Sequence, residues 1–207
     1  MPLHVVEHPV VHDALATLRD ASTSPEVFRR MAIRISLLLA AEATRDVPSH
    51  PVSVQTPLGA APGRRVGAGV VVVPVLRAGL GMLDAVLELL PTARVGHIGL
   101  QRDELTAVAS QYYSKLPPDL KGSYVLMIDP MLATGGSAVA ALDLLKLAGA
   151  TEIRMICIVA APEGIALVQQ QHPNVHIFTP AVDRGLNAHK FIVPGLGDFG
   201  DRLYGTA

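Results

Sequence analysis

The chain has 207 residues, 50% of them hydrophobic, 17% charged and 4% aromatic, with a formal net charge of −1 and one cysteine, Cys157. These values predict one domain with an aliphatic core, exclude an intramolecular disulfide, and argue against a nucleic-acid footprint or a polybasic membrane surface. No apolar run has membrane-spanning length and the first residues lack the apolar core of a signal peptide, so we expect a cytoplasmic protein.

The first residues contain a histidine pattern. His4, His8 and His12 would share one face of an uninterrupted helix, and histidine is a common metal ligand. Pro9 breaks that helix, and no carboxylate is arranged to complete the ligand set. We therefore expect no metal held there by side chains.

Two helices and a hairpin are predicted before residue 70. Residues 10–19 form the first helix, and Ser24 caps the second, which begins at Pro25 and continues with an apolar face. Residues 46–68 are rich in proline, glycine and polar residues around a short alternating piece. They predict a hairpin or an edge excursion that is available for subunit contacts.

Residues 70–178 alternate apolar runs with helical patterns, which predicts an α/β fold with a central parallel sheet flanked by helices. Helices are predicted over residues 80–90, from Ser137 onward with Gly149 after its end, and over residues 162–171. The predicted strands are Val70–Leu76, Val95–Leu100, Val125–Ile128, Ile153–Ala160 and Val175–Phe178. Cys157 lies inside one of these runs and is interpreted as a buried packing residue.

Two arginines follow strands of the predicted sheet. Arg77 comes after Val70–Leu76, and Arg102 comes shortly after Val95–Leu100. Ligands of open parallel sheets bind outside the carboxyl ends of the strands, where an arginine can bind a phosphate through two parallel hydrogen bonds. Both residues are therefore candidates for binding a diphosphate.

The run from Val125 to Ser137 predicts a strand, a loop of small residues and a helix start. Asp129 and Pro130 end the strand, and Thr-Gly-Gly-Ser then leads into the helix. Backbone N–H groups and a helix N-terminus at such a turn form a cradle for a phosphate group. The Walker loop is excluded, because no Gly-Lys-Ser/Thr follows, and the dinucleotide fingerprint with three spaced glycines is absent.

The loop and the stretch Val-Leu-Arg-Ala-Gly-Leu-Gly around Arg77 resemble type I phosphoribosyltransferases, and in detail their uracil phosphoribosyltransferase branch. The resemblance implies that the loop holds the 5′-phosphate of 5-phosphoribosyl-1-diphosphate (PRPP), that Asp129 contacts the ribose, and that the arginines bind the diphosphate. Most type I members have a second acid where this chain has Pro130. The implied PRPP-binding residues are Arg77, Arg102, Asp129, Pro130, Met131, Leu132, Ala133, Thr134, Gly135, Gly136, Ser137 and Asp198.

Residues 104–123 form a polar connection with two adjacent tyrosines and two adjacent prolines. A connection of this length predicts a lid or an arm, and a lid would exclude water from an activated sugar. The resembling family has a flap or arm at this place. Leu105 stands where that family usually has glutamate, which could alter flap closure or subunit contacts.

The tail from Phe191 to Asp201 reads FIVPGLGDFGD and has too many glycines and prolines for a regular element. Its exposed backbone groups could pair with the edge of a flat pyrimidine. The tail resembles the uracil-binding hood of the same family, here residues 183–207. The implied uracil contacts are Ile192, Gly197, Asp198 and Phe199, largely through backbone. The family usually has alanine at position 199, so the larger ring of Phe199 could narrow the pocket.

The resemblance covers the whole chain and implies one domain, with N-terminal helices over residues 10–45 and a core over residues 66–180. It implies conversion of uracil and PRPP to UMP and diphosphate in pyrimidine salvage. Mg²⁺ would bind mainly through substrate oxygens and water, and Asp198 and Arg102 would be the catalytic residues. Members of the family form dimers or larger assemblies and some are activated by GTP, so a homo-oligomer and a GTP activator are further expectations.

Two other interpretations remain open on the residues alone. A non-catalytic PRPP or nucleotide sensor that binds RNA would retain the phosphate cradle, although the charge balance weighs against it. A phosphoribosyltransferase for purine or orotate would retain most of the site. Orotate calls for an extra cation near the base, and the tail from Phe191 to Asp201 contains none.

Overall fold

The structure, a computed structural model, describes residues 3–67, 69–102 and 109–206, without the side chains of Arg102 and Ala109. Its helices are α1 (Pro9–Arg19), α2 (Pro25–Ala43), α3 (Leu80–Leu89), α4 (Gly136–Leu147), α5 (Pro162–Gln171) and α6 (Phe199–Tyr204). Its strands are β1 (Leu3–Val5), β2 (Ser49–Thr56), β3 (Gly59–Val66), β4 (Val70–Leu76), β5 (Arg94–Val95), β6 (His97–Arg102), β7 (Ala109–Lys115), β8 (Tyr124–Ile128), β9 (Met131–Leu132), β10 (Glu152–Ile156), β11 (Val159–Ala160), β12 (His176–Thr179), β13 (Gly185–Leu186) and β14 (Ile192–Val193).

One eight-stranded sheet forms the centre of the molecule. Its order is β1-β12-β10-β8-β4-β6-β7, with β5 also paired to β4. Every pairing in it is parallel except the one between β6 and β7. The predicted parallel α/β sheet is confirmed.

The order in which successive strands are added to the sheet reverses between β4 and β8. The chain continues from β4 toward β6 on one side, and from β8 toward β10 on the other. The helix after β4 packs on one face and the helix after β8 on the opposite face, because residues of α3 and α4 belong to separate apolar clusters. Such a switch point leaves a crevice at the carboxyl ends of the two strands.

The core lies on both faces of the sheet, as the uninterrupted apolar strands require. Along β4, Val70 and Val72 belong to one apolar cluster with residues of α1, α2, α3 and α6. Val71 and Val73 belong to the other cluster, with residues of α4 and α5. Side chains of a strand alternate between faces, so one valine-rich run serves two cores. The prediction that Cys157 is a packing residue is confirmed, since it is fully buried in the second cluster.

The hood is fastened to the N-terminal helices by arginines. Arg19 of α1 donates two hydrogen bonds to Asp183, at 2.9 and 2.6 Å, and a third to the carbonyl oxygen of Gly195 at 3.0 Å. The Gly195 N–H donates to the same Asp183 carboxylate at 2.8 Å. These charge-assisted hydrogen bonds hold two separate parts of the hood, at Asp183 and at Gly195, against α1.

In a second set of contacts the arginine belongs to the hood and two of its acceptors lie at the end of α1. Arg202 of α6 donates to the carbonyl oxygens of Leu18, Leu196 and Asp20, the latter two at 2.7 and 2.5 Å. Its guanidinium also lies 4.6 Å from the centre of the Phe28 ring. These contacts hold the end of the chain against the turn between α1 and α2.

The hairpin predicted in residues 46–68 is confirmed as β2 and β3, an antiparallel pair with eight facing residues. Most of its side chains are exposed, and Leu58 at its tip is fully so. Its two strands pack mainly against each other. The hairpin is therefore a projection from the domain.

Three parts of the chain differ from the sequence-based predictions. Residues 109–115, expected within a lid or arm, form the antiparallel edge strand β7, because residues on both sides of Tyr112 pair with β6. The strand predicted over Ile153–Ala160 is interrupted at Cys157 and Ile158, whose following residues pair with β9 instead. The tail contains helix α6, although no regular element was expected there.

The N-terminal histidines have separate partners. His8 caps α1 by accepting from the Val10 N–H at 3.1 Å, and His12 contacts Glu7 at 2.9 Å. His4 lies in β1 and its ring nitrogen is 2.9 Å from that of His176. Within the described ranges, no helix has the length and apolar character that crossing a membrane requires.

Candidate active site

A cleft of about 360 Å³ opens at the carboxyl ends of β4 and β8, where the order of the strands reverses. One wall is the loop between β8 and α4, residues 129–135, which we call the phosphate loop after its predicted role. The residues after β4 form a second wall, and the hood forms the remaining side. The cleft is lined by Val75, Leu76, Arg77, Ala78, Leu100, Asp129, Met131, Leu132, Ala133, Thr134, Gly135, Ser137, Ala138, His189, Lys190, Phe191, Ile192, Gly197, Asp198 and Phe199.

The phosphate loop ends at the N-terminus of α4. Gly135 is the N-cap residue with φ of 88°, a left-handed conformation that glycine adopts without a steric penalty. No side chain caps this helix. The first N–H groups of α4, which have no acceptor inside the helix, are therefore available to an anion in the cleft.

The loop is supported from behind by α5. A Cβ atom placed on Gly164 would lie 2.5 Å from the carbonyl oxygen of Ala133, and one on Gly135 would lie 3.0 Å from the carbonyl oxygen of Gly164. The two backbones thus touch without an intervening side chain. Gly164 positions the loop although it does not reach the cleft, and its place in the first turn of a predicted helix was the only signal for it.

Asp129 lies where β8 ends, with a half-buried side chain on the wall of the cleft. Desolvation by burial raises the pKa of its carboxyl to about 7, although a backbone hydrogen bond from Met131 lowers that pKa. The group therefore changes charge near neutral pH and can accept from a hydroxyl when ionised.

Arg77 follows β4 and lies on the cleft wall with an exposed side chain. Its carbonyl oxygen is 3.4 Å from the hydroxyl of Tyr204 in α6, so the last helix borders this loop. No carboxylate of the described residues lies within 4.0 Å of the Arg77 guanidinium. Arg102 is the last residue of β6, and its side chain, like residues 103–108 with Leu105, lies outside the described part of the chain.

The four residues predicted to contact the base all belong to the hood. Ile192, Gly197, Asp198 and Phe199 all line the cleft. Asp198 is also the N-cap of α6, because its Oδ1 accepts from the N–H of Asp201 at 2.9 Å. The Asp-x-x-Asp spacing is the sequence signal for that helix, and the sequence-based prediction used it only as part of a ligand site.

The side chain of Phe199 belongs to the core. It is 1% exposed and packs edge to face against Phe28, with ring centres 5.2 Å apart. The ring packs toward Phe28 of α2, so the packing gives no support to the expectation that it narrows the base pocket.

The phosphate loop and the hood thus form one site. Comparison of the sequence with known protein families shows which family the chain matches. Residues 5–206 match the family model described as uracil phosphoribosyltransferase. The chain belongs to the uracil phosphoribosyltransferase family. The predicted family and the predicted transferase activity in pyrimidine salvage are confirmed.

Members of this family resemble the chain over its whole length. Uracil phosphoribosyltransferases of Symbiobacterium thermophilum and Dictyoglomus thermophilum are each 51% identical over 203 residues, covering 98% of this chain and 97% and 98% of theirs. The AQ2163 protein of Aquifex aeolicus superimposes with a TM-score of 0.95 at 36% identity, covering 99% of both chains. The adenine phosphoribosyltransferase of Giardia lamblia, at 18% identity, TM-score 0.51 and 84% coverage of each chain, shares the fold.

Among the predicted PRPP contacts whose side chains the structure describes, two do not line the cleft. Pro130 is buried, and its carbonyl oxygen accepts from the N–H groups of Ile158 at 2.9 Å and Val159 at 3.1 Å. Gly136 is the first residue of α4, and its backbone N–H is among those at the helix start. Cys157, beneath this wall, is buried and its thiol pKa is raised to about 12 by desolvation, as a packing residue requires.

The sequence-based prediction missed His189, Lys190 and Phe191 as cleft residues. The first two precede the stretch from Phe191 to Asp201, in which no cation stands near the base. The tail from Phe191 to Asp201 itself contains no cation, in agreement with the sequence-based expectation. The family match is what favours uracil over orotate. A tail taken from the end of β13 onward would have included both residues.

Proposed function

We propose that this cleft binds PRPP and uracil side by side and converts them to UMP and diphosphate. The observation that carries the proposal is the convergence of three segments on one cleft: the phosphate loop after β8, Arg77 after β4, and the hood. The cleft has the size of a small-molecule site and lies where open α/β sheets bind ligands.

The phosphate end of PRPP would occupy the loop. Ala133, Thr134, Gly135 and Ser137 would surround the 5′-phosphate, with the uncapped start of α4 providing N–H donors and a favourable dipole. The Asp129 carboxylate would accept from the ribose hydroxyls. This placement puts the anomeric carbon of the sugar between the loop and the hood.

The diphosphate would lie toward β4 and β6. Arg77 faces the cleft without a described carboxylate partner, so its charge is available to the leaving group. Arg102 is proposed as the second arginine, at the end of the neighbouring strand β6. Guanidinium groups suit this task because they donate two parallel hydrogen bonds to phosphate oxygens.

Uracil would bind against the hood. The backbone of Ile192, Gly197 and Phe199 offers N–H and C=O groups to the edge of the base, and Gly197 has φ of 80°. The Phe199 ring faces the core, which leaves its backbone as the part that can contact the base. Asp198 stands between the base and the sugar.

The reaction forms a bond from N1 of uracil to C1′ of the ribose while the C1′–O bond to diphosphate breaks. The diphosphate leaves with the bonding electron pair, and the N1 proton of uracil passes to a diphosphate oxygen or to water. Such displacement at an anomeric carbon develops oxocarbenium character. The protein would contribute positioning and charge stabilisation. Asp198 would stabilise the positive charge on the sugar, and Arg77 and Arg102 the negative charge on the diphosphate.

Phosphoribosyltransferases generally use Mg²⁺ with PRPP, and the donor set here fits that ion. Asp129 and Asp198 are the two carboxylates on the cleft wall among the described residues, and no group of three ligating side chains is found in those residues. Mg²⁺ binds through one or two carboxylates, water and substrate phosphates. When bound, it would neutralise part of the diphosphate charge.

A homo-oligomer, activation by GTP and a cytoplasmic location complete the proposal. The projecting hairpin of β2 and β3 is the element available for contact with a second copy. Sedimentation of the purified protein with and without GTP, together with initial rates, tests the first two points. Fractionation of cells tests the third.

The direct test is release of diphosphate from PRPP with Mg²⁺ in the presence of uracil, cytosine, orotate, hypoxanthine or no base. Release only with uracil, with UMP as product, is the expected result. Tight PRPP binding without release for any base would make the protein a sensor and would refute the proposed reaction.

A further inference from the structure

We propose that Lys190 is a substrate-binding residue that contacts a phosphate group of PRPP from the hood side of the cleft. This inference rests on the proposed function and adds a residue to it. Lys190 lines the cleft, and its side chain is exposed there.

The backbone of Lys190 is unusual. Its φ is 65°, and it is the one residue other than glycine with positive φ in the part of the chain that the structure describes. A lysine in this region is disfavoured by contact between its Cβ and the backbone, and glycine would avoid that contact. Residues kept in such conformations at clefts point to a function of the side chain.

The loop around Lys190 is built to hold that conformation. It connects β13 to β14, and Asn187 closes it with its own side chain. The Asn187 Oδ1 accepts from the N–H groups of His189 at 2.9 Å and Phe191 at 3.0 Å, and the Lys190 N–H donates to the Asn187 carbonyl oxygen at 2.9 Å. The loop is therefore a fixed support for the residues at its tip.

The loop is also fixed relative to the phosphate wall. The N–H of Leu186, at the end of β13, donates to Oε1 of Glu163 at 3.1 Å. Glu163 belongs to the first turn of α5. The residue after it, Gly164, contacts the phosphate loop. The lysine and the anion cradle are thus held by the same helix.

The ammonium group of Lys190 has no described carboxylate partner, so it is available to bind a ligand. No carboxylate of the described residues lies within 4.0 Å of its ammonium group. The proposed ligand has a phosphate and a diphosphate, whereas uracil is neutral. An ammonium is a mobile point charge that binds phosphate oxygens without demanding a fixed geometry.

The chemistry that Lys190 recognises is a phosphate group, either the 5′-phosphate, which UMP shares, or the diphosphate. The test measures binding of PRPP, UMP and inorganic diphosphate, and steady-state KM values, for Lys190→Gln, Lys190→Arg and Lys190→Gly. Lys121→Gln, an exposed lysine in the turn before β8, is the matched control.

Lys190→Gln should raise the Kd and KM for PRPP about 3- to 5-fold, the factor that an exposed ion pair supplies, with the KM for uracil changed less than about 2-fold. The loss should shrink as salt is added, because exposed charges are screened. A parallel loss for UMP assigns the lysine to the 5′-phosphate, and a parallel loss for diphosphate assigns it to the leaving group. Lys190→Arg should retain PRPP affinity within about 2-fold, because it keeps the positive charge.

Lys190→Gly separates binding from structure. It should weaken PRPP binding as much as Lys190→Gln while raising the thermal midpoint of the unliganded protein, since glycine relieves the backbone. Unchanged PRPP affinity in Lys190→Gln would overturn the inference, as would an equal rise in both KM values. Turnover of orotate that disappears in Lys190→Gln would overturn it by moving the lysine to the base. Wild-type protein without diphosphate release would instead refute the proposed function.

Discussion

Replacing Asp129 with asparagine should stabilise the folded chain at neutral and alkaline pH. The pKa of the Asp129 carboxyl is about 7 in the folded protein against 3.8 for an unburied aspartate. The two values differ by roughly three pH units at about 1.4 kcal/mol each, so ionising Asp129 in the fold costs at most about 4 kcal/mol. Since the side chain is half-buried on the wall of an open cleft, we expect about 1–2 kcal/mol of this to be measurable.

The sign follows from proton binding. Because the folded pKa is raised, the folded state holds an extra proton between about pH 4 and pH 7, and the wild-type free energy of unfolding falls as the pH rises through that window. The asparagine side chain of the variant would bind no such proton. The advantage of Asp129→Asn should therefore be small near pH 4, grow up to about pH 7 and stay constant above it.

Urea unfolding followed by circular dichroism, at pH values from about 4.5 to 8.5 without ligand, measures this difference. Asp84→Asn is the control for the substitution itself, because Asp84 is exposed on α3 and does not line the cleft. In parallel, PRPP binding at about pH 8 should weaken in Asp129→Asn, since a neutral amide replaces the acceptor for the ribose. An Asp129→Asn protein less stable than wild type at alkaline pH would refute the reasoning about burial, and unchanged PRPP binding would remove Asp129 from the site.

Three further substitutions test the other walls of the cleft. Asp198→Asn should reduce turnover strongly at an unchanged thermal midpoint, since asparagine caps helices as well as aspartate does; an unchanged rate would exclude Asp198 from the mechanism. Gly164→Ala should raise the KM for PRPP more than that for uracil, because the new methyl group meets the Ala133 carbonyl oxygen; equal KM values to wild type would show that the loop does not depend on this contact. Phe199→Ala should lower the free energy of unfolding, measured in urea, by about 3–5 kcal/mol, because a buried ring is lost. The more conservative Phe199→Leu should leave the ranking of bases by rate of diphosphate release unchanged. A changed ranking would place the ring at the base.

The sheet and the phosphate loop could be predicted from the sequence because their signals are local. The four apolar residues before Asp129, the small residues after it and the apolar stripe of α4 each fix one element, and parallel strands then gather their carboxyl ends at one edge. These patterns predict a site at the carboxyl edge of the sheet, whereas the order of the strands is seen only in the structure.

The parts that were missed depend on contacts between distant segments. Strand β7 exists because residues 109–111 and 113–115 pair with β6, and nothing in their own polar composition requires it. The direction of the Phe199 ring is set by Phe28, which lies far away in the sequence. Lys190 was overlooked because its importance comes from a loop conformation fixed by Asn187. Sequence patterns describe single elements well, and these features arise between elements.

The clasp made by Arg202 has a consequence for how the protein is made. Two of its acceptors, the carbonyl oxygens of Leu18 and Asp20, lie 184 and 182 positions earlier in the chain. Contacts of such separation form late, and a growing chain folds from its beginning. The strands and the proposed phosphate loop precede α6 in the chain and can pack before α6 is synthesised, whereas the wall proposed for the base needs α6. We therefore expect the proposed phosphate site to form before the proposed pyrimidine site.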